Sequence, residues 1–296
     1  MKCVLLGETD SEAVKFLEKN KVIITSDKKE LSECEAISIR IDTKTDKTLL
    51  DKIPKLKYIL ANSVGVDHID LNECSARGIK VFNAPLSNID SVAELTIAHI
   101  LSCLRNIVPA NNELKKGEWR KMENMGCELM NKTVGIVGFG NIGRLVAKKL
   151  QGFDVRILAY DVIKDEIEAR KLNATYVSLD KILKESDIIT VHVPLIAPTK
   201  GMIGEKQFDM MKDGVIFLNM ARGGVIIEED LINALKSGKI KAAALDAFAE
   251  EPPKKSNPLL KMKNVITTPH LGGMTKEGFR RMCMEPAKKL IEELRK

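Results

Sequence analysis

The chain has no block of like charge, no paired-cysteine spacing and no apolar run approaching the ~20 residues that cross a bilayer. Each absence removes a class of function. Its 47 basic and 41 acidic residues give a net charge of +6, but lysines lie beside glutamates along the whole length. That is a solvated face rather than a nucleic-acid footprint, so neither nucleic acid nor membrane is expected as a partner. The six cysteines (Cys3, Cys34, Cys74, Cys103, Cys127 and Cys283) form no CxxC pair and read as reduced thiols of the cytoplasm. The opening MKCVLLGETD turns acidic too soon for a secretory core. His99 and Cys103, four apart on an apolar helix, read as core, and His68 and His192 assemble with no cysteine at zinc spacing, so no metal is expected. What is present, 44% hydrophobic and 30% charged residues, suits a globular protein in water, and 296 residues suit two domains.

The most informative stretch is VGIVGFGNIGRLVAKKLQGFDVRILAYD, residues 134–161. A β-branched run leads into Gly138, Gly140 and Gly143, a helical pattern follows, and a second apolar strand ends on Asp161, eighteen residues beyond the last glycine. Gly138 permits a tight strand-to-helix turn, Gly140 lets backbone approach a pyrophosphate, and Gly143 lets helix pack on strand. The helix N-terminus, at Asn141 and Ile142, offers unpaired N–H groups and a positive dipole end. Asp161 can accept from both ribose hydroxyls and repels a 2′-phosphate, while Val162 and Ile163 offer no arginine to hold one. The cofactor expected is therefore NAD rather than NADP.

Upstream, strands are expected at Cys3–Leu6, Val22–Thr25, Ala36–Ile41, Tyr58–Ala61 and Lys80–Phe82, with helical patterns such as Ser11–Lys19 and Leu71–Arg77 between them. Strands joined by helices indicate a small parallel α/β domain. Ser91 and Glu94, spaced as a capping box, open a long apolar helix expected to run to about Val108, where Pro109 stops it. Its apolarity places it between domains or between subunits, and a polar arm follows over residues 111–128. Downstream, strands Ile188–His192, Val215–Asn219, Ala242–Leu245 and Val265–Thr267 bring the large domain to six, the count of a complete Rossmann sheet. The predicted division is 1–90 with 275–296 as a smaller domain, its last segment a helix packed back on it, and 91–274 as the larger one.

Parallel strands gather their C-terminal ends at one edge. Residues just after them face the cofactor cleft: the glycine loop, Asp161, His192, Val193 and Pro194, Met220 and Ala221 with Arg222, Asp246, and His270 with Gly272; Thr199 joins this cofactor-binding set. Arg222 presents a fork that binds a carboxylate and polarises a carbonyl, although a surface arginine in a turn has the same sequence. A carbonyl reduced by hydride must also gain a proton, and His270 is the donor expected at neutral pH. An acid on its other nitrogen orients it; Glu251 and Glu250 compete for that place. Asp246 can bond a nicotinamide carboxamide. In the small domain, Asn62, Ser63, Val64 and Gly65 after a strand leave N–H groups to hold an anion, facing Arg222 across a cleft.

These motifs, SVGVDHIDL (63–71), NAPLSNIDSVAELT (83–96), KTVGIVGFGNIGR (132–144), SDIITVHVPL (186–195), MARGGVI (220–226), LDAFAEEPP (245–253) and TPHLGG (268–273), closely resemble those of the NAD-dependent D-2-hydroxyacid dehydrogenases. The resemblance implies a Rossmann-type doubly wound parallel sheet plus a smaller flavodoxin-like α/β substrate domain, and a homodimer. It implies that Arg222 binds substrate, that His270 is the acid/base and that Glu251, directly before proline, is its partner. The substrate carboxylate then lies on the amides of Ser63 to Gly65. Within the family the likeness is greatest to short phosphoglycerate dehydrogenases of serine biosynthesis. Arg40 matches a basic position these use for phosphate, whereas Ala61 stands where they carry a second arginine. Glyoxylate or hydroxypyruvate reductases are the rival, and an NAD-sensing corepressor-like protein is a distant one.

Overall fold

A computed structural model describes residues 1–296, which divide into two compact units, 1–88 with 273–296 and 89–272. The smaller unit holds strands β1 (Lys2–Leu5), β2 (Ile23–Thr25), β3 (Ala36–Ile39), β4 (Tyr58–Ala61) and β5 (Lys80–Phe82), all parallel, in the order β2-β1-β3-β4-β5. That is the flavodoxin-like order. Helices α1 (Ser11–Lys19), α2 (Lys47–Leu50) and α3 (Leu71–Ala76) connect them, each started by an aspartate (Asp10, Asp46, Asp70) whose carboxylate takes orphan N–H groups of the first turn. The C-terminal helix Lys276–Leu294 packs on α1 and β4, placing Ala287, Leu290 and Ile291 in one cluster with Cys3, Leu17 and Leu60.

The larger unit opens with α4 (Ile89–Leu104) and α5 (Ile107–Leu114). α4 starts two residues before Ser91, so the expected capping box lies inside the helix. Pro109 does not end α4 either. The break is at Asn106, whose φ of 51° turns the chain, and Pro109 sits in the first turn of α5, where its missing N–H has no intrahelical partner to lose. α4 packs against the helix Asn141–Leu150 and the sheet of its own unit, with Ala93, Ile100 and Leu104 in one cluster with Ile136, Val146 and Leu218. The segment after α5 is not polar all round: Trp119, Met122 and Met125 stand exposed.

The sheet of this unit has seven parallel strands: β6 (Thr133–Val137), β7 (Arg156–Tyr160), β8 (Ala174–Tyr176), β9 (Ile188–Val191), β10 (Val215–Asn219), β11 (Ile240–Leu245) and β12 (Val265–Thr267). Their order is β12-β11-β10-β9-β6-β7-β8. Counted from β6, this is the doubly wound 3-2-1-4-5-6 arrangement with one strand added at the edge. The expected count of six missed β8, three residues long with an exposed Thr175 at its centre, too short for any periodicity to show. Helices α6 (Asn141–Leu150), α7 (Glu166–Lys171), α8 (Leu179–Glu185), α9 (Glu205–Met210) and α10 (Glu228–Lys236) fill the crossovers. No single helix of the chain is long and apolar enough to cross a membrane. Because all seven strands run one way, the turns after β6, β7, β9, β10, β11 and β12 lie along one sheet edge, and the chemistry gathers there.

Candidate active site

The glycine turn after β6 is built by exclusion. Gly138 has φ +95°, and a Cβ there would lie 2.7 Å from the His192 carbonyl carbon. A Cβ on Gly143 would lie 2.2 Å from the Gly138 oxygen, so α6 can approach β6 this closely only with glycine. Gly140 differs: its Cβ would meet nothing within 4 Å, and as N-cap of α6 it brings no side chain to the first-turn amides. Backbone N–H groups and the positive helix end are thus left to an anion. Asp161, at the end of β7, accepts from Phe139 N at 2.7 Å through Oδ2 and from Ile163 N at 3.1 Å through Oδ1. Both oxygens are held in place, and each keeps a lone pair for a ribose hydroxyl. His192 pairs Nε2 with Thr190 Oγ1 at 3.0 Å, while Nδ1 is buried with no hydrogen-bond partner. Burial pushes its pKa down to about 3, so the ring stays neutral. An uncapped helix end, a fixed acid and a neutral ring with an orphaned nitrogen fit a dinucleotide. Thr199 is occupied locally, accepting from Ile196 N at 2.9 Å and donating to Pro194 O at 2.5 Å, which shapes the turn that carries Val193 and Pro194.

The turns after β10, β11 and β12 carry the ionisable groups. Asn219, fully buried at the end of β10, accepts from Ala221 N at 3.1 Å and donates to Arg222 O at 3.0 Å, fixing Met220 to Arg222. Arg222 Nη1 donates to Ala221 O at 3.0 Å. Glu251 and His270 meet: Nδ1 lies 2.8 Å from Oε2. Glu251 Oε1 accepts from Phe248 N at 3.0 Å. Burial alone would raise the Glu251 carboxyl; the bond to His270, the imidazole charge, the Phe248 N–H and the Arg222 charge outweigh it and leave the pKa lowered. Glu250 instead pairs with Lys254 at 3.2 Å, which resolves the competition between the two acids in favour of Glu251. The loop that carries Glu251 is tethered by Glu228, which accepts from Ala249 N at 2.6 Å and from Asn257 Nδ2 at 3.1 Å.

Asp246 is tied into the chain itself. Only 4% exposed, it accepts from Thr268 Oγ1 at 2.6 Å, Leu271 N at 2.7 Å and Gly272 N at 2.7 Å. It is the anchor of the loop on which His270 stands.

In the smaller unit, the turns after β3 and β4 are occupied by Arg40 and by Asn62 to Gly65. Arg40 lies over the Phe279 ring, 5.1 Å from guanidinium carbon to centroid, with Nη2 3.1 Å from Met274 Sδ and Nη1 buried without a hydrogen-bond partner. Asn62 donates to Ser38 Oγ at 2.9 Å. Ser63 Oγ donates to Gly65 O at 2.7 Å, and Asn83 Nδ2 to Val64 O at 2.8 Å, so carbonyls are held away while the Val64 and Gly65 amides donate to no backbone carbonyl. Such a nest suits a carboxylate.

Comparison with known proteins decides the family. The family model described as D-isomer specific 2-hydroxyacid dehydrogenase, NAD binding domain, matches residues 97–272. The chain belongs to this family. Residues 97–272 are accordingly its NAD-binding domain. A D-3-phosphoglycerate dehydrogenase of Archaeoglobus fulgidus is 41% identical over 285 residues, covering 94% of this chain and 54% of the relative. A hydroxypyruvate reductase of Thermotoga maritima is 41% identical over 295 residues, covering 96% and 95%. The chain thus spans about half the length of the first relative and nearly all of the second. Among solved structures, a D-lactate dehydrogenase from Aquifex aeolicus complexed with NAD and lactic acid superposes with a TM-score of 0.86 at 33% identity, over 100% of this chain and 96% of that one. Asn219, Glu228 and Thr268 escaped the sequence reading. Asn219 ends a strand and Thr268 opens the quoted TPHLGG just past another, but as neutral side chains they gave no signal of chemistry.

Proposed function

We propose that the protein is an NAD-dependent oxidoreductase interconverting a D-2-hydroxy acid and its 2-keto acid, D-3-phosphoglycerate and 3-phosphohydroxypyruvate being the pair, a step of serine biosynthesis. The observation that carries this reading is the 2.8 Å bond between His270 Nδ1 and Glu251 Oε2 on the sheet edge that also bears the glycine turn. NAD, when bound, supplies the hydride acceptor. A carboxylate accepts only, so Nδ1 carries the hydrogen and Nε2 is left to exchange a proton with the substrate oxygen. In the reductive direction the imidazolium gives that proton and Glu251 stabilises the charge until it is given. Arg222 binds the substrate carboxylate and polarises the carbonyl. In the smaller unit the Val64 and Gly65 amides suit a carboxylate, whereas the Ser63 amide, expected to join them, is already given to Ala61 O at 2.8 Å.

The phosphate reading rests on Arg40. A buried guanidinium N–H without an acceptor is costly, and a phosphate oxygen satisfies it with a charge-assisted bond. Ala61 in place of a second arginine, together with the end-to-end match to a hydroxypyruvate reductase, supports a second reading: reduction of hydroxypyruvate or glyoxylate. Initial rates with NADH on 3-phosphohydroxypyruvate, hydroxypyruvate and glyoxylate separate the two. A kcat/KM at least about tenfold higher for the phosphorylated acid is expected, the worth of one charge-assisted bond, with Arg40→Ala erasing the preference. Equal values, or a preference for hydroxypyruvate, would establish the second reading.

We further propose a homodimer formed through the segment after α4. Ile107, Leu114, Trp119, Met122 and Met125 are each at least half exposed, Trp119 81%. A patch of this kind marks an interface. Sedimentation velocity is expected to give twice the 32.9 kDa chain mass, and Trp119→Glu with Met122→Glu to give the monomer; a monomeric wild type at micromolar concentration rejects the proposal. The six cysteines are all free, which supports a reducing compartment, the cytoplasm.

A further inference from the structure

His270 has φ +52°, a backbone conformation that a non-glycine residue holds only when its surroundings impose it. What imposes it is Asp246, which accepts from Thr268 on one side of His270 and from Leu271 and Gly272 on the other. The clamp does not end there. Thr268 Oγ1 gives its only hydrogen to Asp246 Oδ1, so towards any further partner it can act only as acceptor. That partner is His99 on α4, with Nε2 3.2 Å from Thr268 Oγ1. The geometry therefore sets the tautomer: Nε2–H donates. Burial holds the His99 pKa below its ordinary value against the opposing charge of Asp246, so the ring is neutral and the donor is the single N–H the chain needs.

We infer that His99 is a positioning residue for the acid/base loop: its Nε2–H orients Thr268, and through Thr268 the Asp246 carboxylate that fixes both flanks of His270. The inference rests on the proposed acid/base role of His270 and adds to it a buried polar chain reaching from α4 to the reacting histidine. Simple core filling does not account for the residue. His99 is 4% exposed on α4, whose Ala93, Ile100 and Cys103 lie in the apolar core, and a leucine there carries no cost of burying a ring nitrogen. A histidine there is worth its burial only through the bond it makes, and that bond ends on the loop.

The test is His99→Leu beside His99→Gln, whose amide N–H restores the donor. Single-turnover oxidation of NADH with the preferred keto acid is expected to slow about fivefold in His99→Leu, the worth of one ordinary hydrogen bond. The substrate KM and the NADH affinity should stay within twofold, the melting temperature should hold, and His99→Gln should recover most of the rate. An unchanged rate in His99→Leu overturns the inference. So does a loss that tracks a fallen melting temperature and is not rescued by glutamine, because that is packing alone. Should His99→Leu fail to fold, Thr268→Val cuts the same chain at its next link with a side chain of the same shape, and its rate must then fall at least as far. His270→Ala is run in parallel. If it retains turnover, the acid/base reading fails; if it is inactive while His99→Leu is unimpaired, only the positioning role fails.

Discussion

His270→Ala is expected to lower kcat by about 10³, within the range that a positioned general acid or base supplies, while NADH binds as it does to the wild type. The separation of the two effects follows from how the loop is held. Leu271 N and Gly272 N bond to Asp246 through the backbone, and Thr268 through its own hydroxyl, so none of the anchors passes through the imidazole. Alanine meets the same left-handed conformation that histidine already tolerates and gives the backbone no reason to relax. The Asp161 carboxylate and the glycine turn, on other strands, are untouched. What is lost is one proton donor and the partner of Glu251. Fluorescence titration with NADH and steady-state rates on the preferred keto acid measure the two quantities independently. Retained turnover removes the acid/base role; a parallel collapse of NADH affinity means that the loop, and not the proton, was disturbed.

How far the sequence told this story depends on the kind of signal. The β6–α6–β7 unit was legible because each of its residues answers a separate physical demand: Gly143 cannot carry a Cβ against the Gly138 oxygen, and Asp161 ends a strand beside the turn. Arg222, Glu251 and His270 were legible by placement, since parallel strands bring their C-terminal turns together and the quoted motifs fall there. Three kinds of feature were not. β8 is too short to show a period. The break after α4 depends on a left-handed Asn106, an asparagine that in sequence looks like any other, while Pro109 drew attention because proline is a stronger breaker in a helix interior than in a first turn. The work of Asp246, Thr268 and His99 lies in bonds between residues far apart along the chain, which no spacing encodes; Asp246, expected beside a nicotinamide carboxamide, is also an internal anchor.

Gly223→Ala is expected to cost about 3 kcal/mol of stability or more, and to lower kcat/KM by about 10² even where the protein stays folded. A Cβ at Gly223 would lie 1.8 Å from the Phe248 carbonyl carbon, 2.0 Å from its oxygen and 2.3 Å from Ala249 N. All three are backbone atoms, so no rotamer change relieves the contact. One of two segments must move. The first is the turn that carries Arg222, pinned by Asn219 on both sides. The second is the loop that carries Glu251, pinned by Glu228 at Ala249 and through Asn257. Either displacement separates the arginine from the glutamate–histidine pair, and a shift of about 1 Å is enough for the loss in rate. Gly152→Ala is the matched control, because its Cβ would meet nothing within 4 Å and the residue lies outside the site. Thermal melts and kcat/KM of the two variants decide: a Gly223→Ala protein that melts and turns over like Gly152→Ala shows that the two segments are not held this close, and that the site does not depend on glycine at their crossing.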